Sequence, residues 1–179
     1  RSAAPSPASP LVLWLYACCA VVFCIVVVGA ITRLTESGLS ITEWKPLIGF
    51  IPPLGKEQWN EVFSLYKQTP EYQKKNFWME LSDFQRIFFW EWLHRLLARL
   101  IGLGYALPLL WFWVRGRIPA GYKAPLLGVL VLGGLQGGLG WYVVKSGLSD
   151  RPSGSHFRLA AHLGLAFTIF SAMLWLGLS

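Results

Sequence analysis

Apolar residues fall in four blocks, each long enough to cross a bilayer. A hydrocarbon layer of about 30 Å takes about 20 helical residues at 1.5 Å each. Leu11 to Ile31 holds no charge and is bracketed by Pro10 and by Thr32-Arg33; Ile87 to Val114, about Ala124 to Val144 and Phe157 to Ser179 follow. The first block is too long, and too poor in small residues at its end, for a cleaved secretory signal. The expected fold is therefore all-α, an integral membrane four-helix bundle over residues 11–179. Its helices are expected at about 11–31, 83–114, 124–144 and 157–179, with outer loops at 33–82 and 145–156.

The long first loop has a pattern of its own. Trp59, Val62, Phe63 and Tyr66 recur at helical spacing with Glu57, Glu61 and Lys67 on other faces, which predicts a short amphipathic helix lying on the bilayer or capping the bundle. Ser82, three residues before Gln85, matches a capping box, so the second long helix is expected to begin near Ser82 and to project from the membrane. Pro108 is expected to bend it near its inner end. Gly133-Gly134-Leu135-Gln136-Gly137-Gly138 contains two overlapping GxxxG spacings. Taken alone, these favour close packing of a neighbouring helix over a flat ligand. Residues 1–10 are rich in Ser, Ala and Pro and contain no acid; they read as a disordered lead or the remnant of an organelle transit peptide.

Composition agrees with the spans. Of 179 residues 54% are hydrophobic, 15% aromatic and 14% charged, and the mean hydropathy is +0.47, which excludes disordered and collagen-like chains. Cys18, Cys19 and Cys24 share one apolar block, so they form no disulfide scaffold and are expected to act as small buried hydrophobes. The net charge of +7 does not indicate nucleic acid, because the 16 Lys and Arg form no dense run and the seven between Arg33 and Arg86 face seven acids; a phosphate-binding surface needs clustering. The short joint Arg115 to Lys123 holds three cations and no acid, which places it, and with it the N-terminus, on the cytoplasmic or matrix side.

Ionisable groups inside spans are costly and mark function by default. The second helix carries Glu91, His94, Arg95 and Arg99; the fourth carries His162 shortly after Arg158. Glu91 and His94 share a face at i, i+3, while Glu91, Arg95 and Arg99 climb a neighbouring stripe in steps of four. One reading is an intrahelical Glu91–Arg95 pair with His94 hydrogen-bonded nearby. The other notes that both long helices run from outside to inside and carry their histidines early, eight residues after Arg86 and four after Arg158. The histidine depths then differ by roughly 6 Å at most. Two neutral imidazoles at one depth suit the axial positions of a haem iron, with Arg95, Arg99 or Arg158 bonding propionates and with Phe88, Phe89, Trp90 and Trp92 offering macrocycle faces or an interfacial belt. Spacing alone leaves open a haem site or a proton-conducting or transport site. His156 reads as a solvated loop histidine.

The stretches Gly29-Ala30-Ile31-Thr32-Arg33-Leu34-Thr35-Glu36-Ser37-Gly38-Leu39-Ser40, Glu43-Trp44-Lys45-Pro46, Ile51-Pro52-Pro53-Leu54, Glu91-Trp92-Leu93-His94-Arg95, Leu135 to Leu148 and Arg158-Leu159-Ala160-Ala161-His162-Leu163-Gly164 resemble, in order, motifs of the haem A synthase family. The resemblance covers about Gly29 to Phe167. It implies an enzyme that oxidises a methyl group of haem O to a formyl group through a hydroxylated intermediate, for cytochrome oxidase assembly. It also implies that Glu91 is catalytic and that His94 and His162 are axial ligands of the substrate haem. The family has a second four-helix half that binds haem b, so this chain is expected to be an N-terminal fragment or half of a two-chain enzyme, in a mitochondrial inner or bacterial plasma membrane. Further expected partners are membrane lipid, the haem O synthase that supplies the substrate and an electron acceptor. The alternative is a bis-histidine cytochrome that relays electrons without modifying haem.

Overall fold

The computed structural model describes residues 9–43, 49–149 and 156–179. All but Ser9 and Pro10 of the expected lead, and Trp44-Lys45-Pro46 of the loop motif, lie outside the described residues. The order is α1 (Pro10–Leu34), α2 (Lys56–Lys67), a π-helix (Tyr72–Asn76), α3 (Leu81–Val114), α4 (Lys123–Ser149) and α5 (His156–Leu178), with no strand among the described residues. Four of these helices are long and apolar enough to cross a membrane, and the chain is an integral membrane protein of the all-α class. By contacts it divides into two compact units, Arg1–Val26 with Leu97–Leu139 and Ala160–Ser179, and Val27–Leu96 with Gly140–Leu159.

In the first unit Leu11, Leu15, Cys18, Cys19 and Val22 form one stripe of α1. They pack with Tyr105, Leu109, Phe112, Leu126, Ile169 and Met173. Cys18 and Cys19 are the small buried hydrophobes expected, whereas Cys24 is exposed on the opposite face, because the helical turn carries it about 100° per residue away from that stripe. α3 continues through Pro108. Proline has no N–H for the carbonyl four residues earlier, and that carbonyl, Gly104 O, instead accepts from the Trp14 indole at 2.8 Å. α3 ends in a Schellman turn: Arg117 N–H donates to Phe112 O at 2.9 Å and Gly116 N–H to Trp113 O at 3.0 Å, with Gly116 in the left-handed region at φ 62°. The Arg117 guanidinium lies 4.9 Å from the Trp111 ring centroid and Lys123 Nζ 5.2 Å from that of Trp113, so the joint between α3 and α4 seats two of its cations on aromatic faces.

The glycine-rich face of α4 departs from expectation. A Cβ added at Gly133, Gly134, Gly137 or Gly138 would meet nothing within 4 Å among the described residues, so no described helix packs closely on them.

In the second unit, α2 buries Phe63 and Tyr66 against Phe84, Ile87 and Phe88 of α3. The amphipathic helix thus caps the projecting turns of α3. Phe88 and Trp92 are committed to this cap, Trp92 also donating to Phe50 O at 3.3 Å. In place of a capping box at Ser82 and Gln85, the helix start carries one half of such a motif two residues earlier, the Asp83 carboxylate accepting from Glu80 N–H at 3.2 Å. α4 runs five residues past the expected end and takes in Lys145. The ammonium of Lys145 sits 4.8 Å over Trp141 one turn back, so the helix extends without exposing an unpartnered charge to lipid.

A second polar cluster lies under the cap. The Tyr66 hydroxyl donates to Glu71 Oε2 at 3.1 Å and accepts from Asn76 Nδ2 at 2.8 Å, and all three residues are buried. Burial pushes the Glu71 carboxyl up from its usual 4.5 to about 7, helped by the negative charge of Glu91 and opposed by the Tyr66 hydrogen bond and by Lys75. Burial raises the Tyr66 hydroxyl as well.

Candidate functional site

The turn that ends α1 builds the site. Ser37 N–H donates to Thr32 O at 2.9 Å and Glu36 N–H to Arg33 O at 3.2 Å, a Schellman arrangement with Glu36 in the glycine position at φ 51°. It returns the chain so that Ser37, Leu39 and Ser40 are buried. Ser40 Oγ then donates to Glu91 Oε2 at 2.6 Å and Ile41 N–H to the same oxygen at 2.8 Å. Arg95 Nη2 holds Glu91 Oε1 from the next turn of α3 and also donates to Ile41 O at 3.1 Å. Glu91 is only 2% exposed, and a buried carboxylate is tolerable because charged and neutral donors reach both of its oxygens. The intrahelical pair foreseen from spacing is therefore formed, but it is one part of a lock between α3 and the loop that follows α1.

His94, half-buried, stands three residues along α3 from Glu91, with the edge of its ring against the backbone of α1: a Cβ added at Gly29 would lie 3.0 Å from Cε1 and 3.4 Å from Nδ1. Thr32, on the same face of α1 one turn on, sends its hydroxyl to Trp90 O at 3.3 Å and to Val28 O at 2.9 Å. Arg158, at the start of α5, places its guanidinium 4.8 Å from the Tyr142 ring centroid. All of these belong to the second unit.

His162 and Arg99 belong to the first unit, and both are half-buried. The backbone carbonyl of His162 accepts from Gln136 Nε2 at 3.0 Å. A carbonyl accepts only, so the amide orientation of Gln136 is fixed, and its Oε1 is buried on the helix that carries the open glycine face. His156 is exposed at the first residue of α5. Among the described residues no three His, Cys, Asp or Glu cluster to hold a bare ion.

Sequence reasoning missed Gly29, Thr32, Ser40, Ile41 and Gln136. The first four lie in or beside Gly29–Ser40, visible as a motif but not as a lock; Gln136 was read only as part of the glycine stretch.

A family model described as COX15-CtaA, cytochrome oxidase assembly protein, matches residues 12–179. The chain is 53% identical over 169 residues to the heme A synthase of Nitrosospira multiformis, covering 94% of this chain and 48% of that protein. It is 53% identical over 174 residues to that of Rhodospirillum centenum, covering 97% and 46%, and 57% identical over 160 residues to that of a Chelativorans species, covering 89% and 44%. The chain thus spans about half the length of the curated relatives it matches. No solved structure matches.

Proposed function

The chain belongs to the COX15-CtaA family of cytochrome oxidase assembly proteins, and on that premise we propose that it carries the substrate half of a haem A synthase, an oxidoreductase that converts the methyl group of haem O to a formyl group. The observation that carries this reading is identity of 53–57% to heme A synthases over 89–97% of the chain.

In this reading His94 and His162 supply the axial nitrogens to the substrate iron. The donor chemistry fits: both are neutral-capable imidazoles on apolar helices, and a metal with only two protein donors needs a macrocycle to complete its coordination. When bound, the porphyrin supplies the redox-active ring through which electrons leave. Conversion of a methyl to a formyl group with oxygen from water releases four electrons and four protons, so the protein must accept protons and pass electrons to an acceptor. Glu91 would supply negative charge to the reacting group and accept one of these protons at a time, Ser40 and Ile41 hold it in place, and the positive charge of Arg95 favours return of that proton to water and of Glu91 to its ionised form. Arg99 and Arg158 bond the propionates. The remaining half, with haem b, passes electrons on, and a haem O synthase supplies the substrate.

The inner joint Arg115–Lys123 supports an orientation with the N-terminus on the cytoplasmic or matrix side. The bacterial origin of the relatives supports a bacterial plasma membrane over a mitochondrial inner membrane. The test is a pigment extract of the full-length protein after expression with haem O, separated by chromatography. Haem A beside haem O is expected. Haem b alone would leave an electron relay, and no pigment would leave a transporter.

A further inference from the structure

We infer that the Gly29–Thr32 face of α1 is the positioning element for His94, with Gly29 setting the height and plane of the imidazole and Thr32 fixing the turn of α3 from which it projects. This deepens the assignment of His94 as an iron ligand and rests on it. Two contacts carry it. At Gly29 the helix backbone approaches the ring so closely that a methyl group would stand 3.0 Å from Cε1, 3.4 Å from Nδ1 and 3.9 Å from Nε2, so any side chain drives the ring away by a few tenths of an ångström. One turn on, the buried Thr32 hydroxyl shares its single hydrogen between Val28 O of its own helix at 2.9 Å and, at 3.3 Å, Trp90 O, the carbonyl that accepts the backbone N–H of His94 in the α3 ladder. The ring edge and the backbone that bears it are thus held from the same neighbouring helix. Neighbours of this kind orient a ligand without touching the metal.

The test uses the full-length protein in detergent, with Gly29→Ala made in the natural background and in His94→Ala. Melting temperature is read for all four proteins, and the ferric low-spin resonance, with haem content, for those that retain His94. Expected is a Tm loss of roughly 3 to 5 °C on Gly29→Ala that falls by at least half when His94 is already alanine. The largest g value should shift in the Gly29→Ala protein at unchanged haem content. Gly128→Ala, in open space inside α4, should not lower Tm, since alanine is the better helix former, and should leave the resonance unmoved. Equal Tm losses in both backgrounds with an unmoved resonance overturn the inference. Should Gly29→Ala not accumulate, Thr32→Val decides: it leaves the space intact and removes the hydroxyl bond, and an unshifted, unbroadened resonance overturns the inference. Absence of any low-spin signal in the unsubstituted protein refutes the ligand assignment instead, and the Tm cycle still reports whether Gly29 holds the ring.

Discussion

Glu91 is a carboxylate whose two oxygens are both occupied, and this governs what its replacement does. Glu91→Gln keeps the shape but offers an amide N–H₂ to donors at Ser40, Ile41 or Arg95. If Glu91 takes the proton, conversion of haem O should fall about 100-fold or more while haem content stays within a factor of two, read by pigment chromatography. Full conversion would remove Glu91 from the chemistry. Ser40→Ala deletes one donor to a buried charge and should cost about 1 to 3 kcal/mol in denaturant unfolding. Glu36 is a different case. A non-glycine residue at φ 51° is strained, and a saturation library at position 36 should enrich Gly and Asn and deplete Val and Ile, whose branched Cβ fits that region worst.

At the scale of elements, Pro108 and Trp14 form a testable pair. Trp14→Phe strands the Gly104 carbonyl and should cost about 1 kcal/mol. In a Pro108→Ala background the restored backbone N–H takes that carbonyl, and the cost should vanish, a double-mutant cycle in a reversible detergent assay. The cap formed by α2 should respond to pH through Glu71. Its folded pKa, about 7, lies above the usual 4.5, so its contribution to cap stability is whole below about 4.5 and is lost as pH rises through about 7. Hydrogen exchange of α2 amides, corrected for intrinsic rates, should quicken over that range and should stay flat in Glu71→Gln. Legibility of the elements followed periodicity. α2 was readable from four apolar residues at helical spacing, but the π-helix, Tyr-Gln-Lys-Lys-Asn, has no apolar period, and its place depends on Tyr66 and Glu71, which meet only after folding. α4 outran its expected end because Lys145 looks like a boundary in sequence and is an aromatic-seated helix residue in space.

For the whole molecule, four spans and their order were legible because hydrocarbon thickness sets their length, and His94 and His162 stood out as candidates because ionisable side chains are rare in apolar helices. Gly29 did not, since a missing side chain says nothing about which neighbour fills its place. Orientation rests on Arg115, Arg117 and Lys123. A single cysteine at Ala120, in a background with Cys18, Cys19 and Cys24 replaced, should react with an impermeant maleimide only from the cytoplasmic or matrix side, and one at Glu57 only from the other. The tight close of α3 also bears on biogenesis. Left-handed glycines at 116 and 121 reverse the chain within a few residues, so that α3 and α4 can form a hairpin without waiting for α5. α5 follows and supplies Gly177 O to the Tyr16 hydroxyl at 2.9 Å. A nascent chain that had left the ribosome only as far as Ser149 would therefore still lack one wall of its first core.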